Sequence, residues 1–153
     1  MAPGKKEPSR TFTVVEANAT LPLVRAIVSD LARLTREVIE RHQRLEHVRA
    51  GRRITSGDPY DEELAQIEHE LSKDRARLNE YAEELRQLGV EPKSAVDGIV
   101  DFPAVIDGAL AFLCWKLGEP EVLFWHPLHS GFAGRQPLTA DAAIDGDAFE
   151  RDA

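Results

Sequence analysis

The chain has one cysteine in 153 residues, so no disulfide can close within it. That usage leads us to expect a reducing, cytoplasmic setting. It also lacks any apolar run near the roughly 18 residues that a membrane span needs. The opening MAPGKKEPSR carries charge with no apolar segment behind it, so neither a signal peptide nor a membrane partner is expected. A basic stripe is missing as well. Lys5, Lys6 and Arg10 make only a short arm, and residues 1–10 read as a disordered basic arm, which argues against a nucleic-acid partner. Cys-x-x-Cys, His-Glu-x-x-His, the phosphate-loop lysine and the Rossmann glycine spacing are all absent.

The hydrophobic content, 42%, is enough for the core of one domain. Acidic residues dominate, but unevenly. The segment TADAAIDGDAFERDA sets five acids against Arg151, a balance of −4 and so half of the net −8. Residues 139–153 therefore read as a solvated acidic disordered tail.

Thr13 and Glu16 have the spacing of a capping box, and Thr20 offers a second cap two residues before Pro22. The reading is a short helical turn over 13–18 feeding a long helix over about 20–50. In that helix Val24, Leu31, Val38 and Leu45 fall seven apart, with Ile27, Leu34 and Val48 beside them and Arg41 breaking the series. Gly51, Gly57 and Pro59 interrupt the pattern, and Asp58 can cap a second helix over about 59–88. There Leu64, Leu71, Leu78 and Leu85 repeat, joined by Ile67, Tyr81 and Leu88, with Asp74 the exception and Gly89 at the C-terminal stop. The pair forms an antiparallel helical hairpin with a coiled-coil seam. Reflection about its loop does not set Arg41 opposite Asp74, so each is expected to fix register or to meet a partner chain.

From Gly98 the period changes to that of strands, expected over about 99–106, 109–117 and 121–126. Asp107-Gly108 is a two-residue hairpin signal that pairs Phe102 with Leu113 and Asp101 with Cys114. Pro103 places the first strand at an edge. A two-residue Gly118-Glu119 turn sets Lys116 opposite Glu121 and puts His126 on the Trp115 face; an odd loop exchanges the faces. Both faces are apolar and the hairpin covers one, which points to a homodimer or another protein partner.

FTVVEANATLPLV, GIVDFPA, LCWKLGEPEVLFWH and GFAGRQPL follow one another in an order that resembles domain-of-unknown-function family 2203, a group of small prokaryotic proteins, over residues 11–138. The resemblance implies an architecture and no activity, cofactor or substrate.

Several residues offer chemistry. Cys114 lies mid-strand among apolar neighbours, where a cysteine packs as a small hydrophobe or, with partners, ligates a metal. His126 and His129 flank Pro127-Leu128, and together with Cys114 they are the metal-ligand candidates, with Glu119, Glu121 or Asp101 able to add a carboxylate. A transition metal is the cofactor this set would take. In GFAGRQPL, Gly134 and Arg135 suit either an anion site or an ordered loop strapped over the sheet by Phe132, with Arg135 paired to Asp101 or Glu119. Glu119, His126, Arg135, Gly134 and Trp115 are accordingly the candidate ligand-binding residues. His42, His47 and His69 lack the spacing of a di-iron motif and read as solvated.

The expected fold is α+β, a single domain over residues 11–138 with a long antiparallel helical hairpin, a three-stranded antiparallel meander and a glycine-rich loop at 130–138. The expected function is a non-catalytic homo-oligomeric interaction module. The alternative is a metal- or anion-binding protein whose site lies at the His126, Glu119 and Arg135 end of the sheet.

Overall fold

The computed structural model describes residues 8–50 and 59–139. Helix α1 runs over Val14–Ala50 and α2 over Pro59–Gln87. Five strands follow: β1 Glu91–Ser94, β2 Ile99–Ile106, β3 Ala109–Lys116, β4 Phe124–Pro127 and β5 Gln136–Pro137. They form one antiparallel sheet in the order β1-β2-β3-β4-β5. Among the described residues no helix is long and apolar enough to cross a membrane. The expected arm, the acidic tail and the Gly51, Gly57 and Asp58 signals lie wholly or largely outside the described residues.

The capping box forms as expected. The Thr13 hydroxyl takes the Glu16 N–H at 3.0 Å and the Glu16 carboxylate takes the Thr13 N–H at 3.0 Å. Residues 13–18 and 20–50 are not two segments, however. Thr20 does not cap; its hydroxyl donates back to the Glu16 carbonyl at 2.9 Å, and Pro22 sits inside one continuous helix on its exposed side. α2 returns antiparallel to α1, as Arg41–Asp74 and Arg49–Glu68 show by pairing across the seam. The Arg41–Asp74 contact corrects the reflection argument, because both pairs show the helices mirrored about a point nearer the start of α2 than the middle of the connection. Val38, Leu45, Leu64 and Leu71 fill the far half of that seam. α2 ends where the Val90 N–H reaches the Leu85 carbonyl at 2.9 Å, with Gly89 at φ 88°.

The sheet has two strands more than its sequence announces. β1 is a four-residue Glu-Pro-Lys-Ser edge with no apolar alternation, and β5 has two residues. β1 takes the edge assigned to β2, so Pro103 lies on an interior strand. Its missing N–H costs nothing there, because the last β1 partner is Asp101, and the Pro103 carbonyl instead accepts the Phe12 N–H at 2.7 Å. Asp107 and Gly108, at φ 52° and 77°, make the expected turn, with Asp101 opposite Cys114 and Phe102 opposite Leu113.

The second turn departs from expectation. Phe112 faces His126 and Cys114 faces Phe124, the register of the odd loop. Residues 117–123 stay outside the ladder because α1 holds them: Asn18 accepts the Val122 N–H at 2.8 Å and Arg25 donates to the Pro120 carbonyl at 3.1 Å. The inner face then carries Val100, Phe102, Leu113, Trp115 and Trp125 into one core with Phe12, Val24, Val28 and Leu85. The outer face carries Asp101, Phe112, Cys114, Phe124 and His126.

Candidate functional site

Three polar groups are buried on that outer face. Asp101 is 1% exposed, Cys114 0% and His126 2%. They come from β2, β3 and β4, and their ligand atoms all lie within 4.8 Å of one another. Asp101 and Cys114 are cross-strand partners, and His126 reaches in diagonally from beside Phe112.

The imidazole has a defined orientation. Nδ1 lies 2.8 Å from the Pro127 carbonyl oxygen, which can only accept, so Nδ1 carries a proton. Nε2 lies 2.9 Å from Asp101 Oδ2, and that contact needs one further proton, held on the ring or on the carboxyl group. A backbone carbonyl fixing Nδ1–H while Nε2 faces a carboxylate and a thiol is the support that metal-ligating histidines generally have.

Burial sets the electrostatics. It pushes the Asp101 carboxyl above its ordinary value, opposed by the hydrogen bond and charge of His126 and, more weakly, by Cys114 and Lys93. Burial also pushes the Cys114 thiol up to about 12; the Asp101 charge adds to the rise and Arg135 opposes it. A thiol in that state is no nucleophile at neutral pH, since the thiolate is the reactive form. Although the thiol interacts with the same carboxylate, Asp101 Oδ1 lacks a hydrogen bond of regular geometry. A buried acceptor in that condition is costly.

Beside this cluster a strap crosses the sheet edge over residues 128–138. The Leu138 N–H donates to the Leu123 carbonyl at 2.8 Å, and β5 pairs with β4. One Arg135 nitrogen donates to both Glu119 carboxylate oxygens, at 2.6 and 2.7 Å, with side-chain exposures of 13% and 20%. Its guanidinium lies 4.0 Å from the Phe124 ring centroid and 4.7 Å from that of Phe132. Glu119 also accepts the Lys116 N–H at 2.7 Å. On the far side Lys93 leans over Phe112 at 5.4 Å.

Residues 10–138, which span the helical hairpin, the sheet and the strap, match the family model described as "Uncharacterized conserved protein (DUF2203)". The chain belongs to the DUF2203 family. No curated protein and no solved structure matches this DUF2203 chain.

The structure brings Cys114 and His126 together and adds Asp101, which the sequence offered only as one of three carboxylates. It sets the rest apart. His129 is exposed and does not join the cluster. Trp115 lies on the inner face, 0% exposed, its indole N–H donating to the Glu119 carbonyl at 3.0 Å. Gly134 serves packing, since a Cβ there would meet the Ser130 side chain at 2.3 Å. Arg135 pairs with Glu119 and not with Asp101. Of the strap expected at 130–138 the structure shows the Arg135–Glu119 pair, whereas Phe132, the residue expected to hold it over the sheet, is 41% exposed. Sequence reasoning missed Lys93 and Phe124 as flanks, because β1 leaves no strand pattern and the favoured register turned Phe124 inward, whereas strand alternation alone sets Phe112 on the Cys114 face. A signal was present in GIVDFPA, where one carboxylate interrupts an apolar strand.

Proposed function

We propose that this DUF2203 protein binds a divalent transition-metal ion, zinc by preference, through Asp101 Oδ, Cys114 Sγ and His126 Nε2. The observation that carries the reading is the burial of three different donor groups within 4.8 Å of one another. A mixed sulfur, nitrogen and oxygen set suits a borderline ion such as zinc better than magnesium or calcium. An ion would replace the proton shared by His126 and Asp101 and that of the thiol, turning a burial cost into ligation. Three protein donors leave one tetrahedral position free, the pattern of catalytic rather than structural zinc. The test is competition for zinc against a chromophoric chelator. One equivalent per chain is expected, lost in His126→Ala and in Cys114→Ala; equal uptake by wild type and both variants sinks the reading.

Self-association is a second reading with its own support. Val15, Ala19, Pro22, Leu23 and Ala26 form an exposed apolar stripe along α1, Val15 being 68% and Leu23 52% exposed. A homodimer would cover it. Sedimentation is then expected to give a dimer at micromolar concentrations that Leu23→Glu dissociates; a wild-type monomer there contradicts this.

A further inference from the structure

We infer that the free position beside the Asp101–Cys114–His126 set takes a small oxyanion, a carboxylate or phosphate group, with Arg135 as its second anchor. The inference rests on the metal reading above and concerns what that ion would present. One carboxylate and one thiolate neutralise a divalent ion, so an anionic fourth ligand needs a cation within reach. Arg135 stands beside Cys114. One of its nitrogens approaches the Cys114 carbonyl oxygen at 3.5 Å.

Its other donors matter more. Glu119 engages a single nitrogen, while the Nε–H is buried without any hydrogen-bond partner. The rings of Phe124 and Phe132 hold the guanidinium plane, so that this donor has a fixed direction. A buried, immobilised N–H lacking an acceptor is complementary to a carboxylate or phosphate group, with one oxygen on the ion and another on the arginine. Glu119 is saturated by Arg135 and by the Lys116 N–H, so it orients the arginine. Lys93 adds positive charge from the opposite flank, over the Phe112 ring.

The experiment uses the full chain loaded with Co²⁺, titrated separately with acetate and with inorganic phosphate against chloride at constant ionic strength. A saturable change in the cobalt visible bands is expected with at least one of them, and the stronger response tells carboxylate from phosphate. Arg135→Met is expected to keep one cobalt per chain and to weaken the anion at least tenfold. Glu119→Gln is expected to weaken it less than Arg135→Met does, because the guanidinium keeps its charge and its place beside the Phe124 and Phe132 rings. A fully loaded wild type whose spectrum neither anion moves overturns the inference and leaves the metal reading standing. Equal weakening in both variants overturns it as well, because it assigns Arg135 and Glu119 to holding the strap alone. Failure to take up cobalt sinks the metal reading, and the inference with it.

Discussion

His126 on β4 reaches Asp101 on β2 across the whole of β3, Nε2 to Oδ2 at 2.9 Å. Two strand spacings, roughly 9.6 Å, separate their backbones. The bridge passes beside Cys114, so the contact that joins non-adjacent strands also encloses the thiol.

Breaking the bridge from one side leaves a buried group unpaired. His126→Leu is expected to destabilise the metal-free protein by about 3 kcal/mol, and the double variant Asp101→Leu with His126→Leu to recover at least half of that. Urea denaturation of the set measures both. Equal losses in the single and double variants contradict the pairing.

The thiol gives a pH signature. The folded Cys114 value of about 12 stands above the ordinary 9.0, so below pH 9 both states keep the proton. Above pH 9 the unfolded chain loses it first, and stability falls as pH rises toward 12, by up to about 1.4 kcal/mol per unit. Ultraviolet thiolate absorbance of the folded, metal-free protein is expected to stay absent at pH 9 and to appear only near 12. Cys114→Ala removes both the absorbance and the extra slope of stability.

The Arg135–Glu119 ion pair anchors the strap beside its backbone pairing with β4. Glu119→Ala leaves the Arg135 guanidinium without its carboxylate and the Lys116 N–H without its acceptor. A loss of about 2 kcal/mol is expected. Hydrogen exchange reads it locally: amides 135–138 lose protection while those of α1 keep theirs.

Arg41 and Asp74 interrupt the apolar seam of the helical hairpin, exposed by 42% and 20%. A pair open on its arginine side contributes little net stability, whereas the more buried Asp74 left alone costs more. Replacing both with leucine joins the Leu34 and Leu78 ends of the seam and is expected to raise Tm by several degrees, whereas Arg41→Leu alone strands Asp74 and lowers it.

The sequence announced whatever was decided locally. Thr13 and Glu16 cap α1 through their own backbone, and Asp107-Gly108 turns β2 into β3, so the pairing of Asp101 with Cys114 follows from counting outward from that turn. What depended on distant contacts was not legible. The register of β4 is set by Asn18 and Arg25 on α1, and no pattern within GEPEV reports a grip from a helix about a hundred residues away. That register decides whether His126 meets Trp115 or Cys114. Two of the three donors were therefore legible, and the closing one was turned to the wrong face. β1 escaped notice for another reason: it is short and polar, and its Pro92 and Lys93 protect an edge in place of filling a core.

The most direct test is X-ray absorption at the zinc edge of the wild-type protein loaded with one equivalent of zinc. One sulfur at about 2.3 Å is expected beside nitrogen or oxygen neighbours at about 2.0–2.2 Å, with the sulfur lost in Cys114→Ala. A shell of nitrogen and oxygen alone in the wild type would place the ion elsewhere and contradict the site.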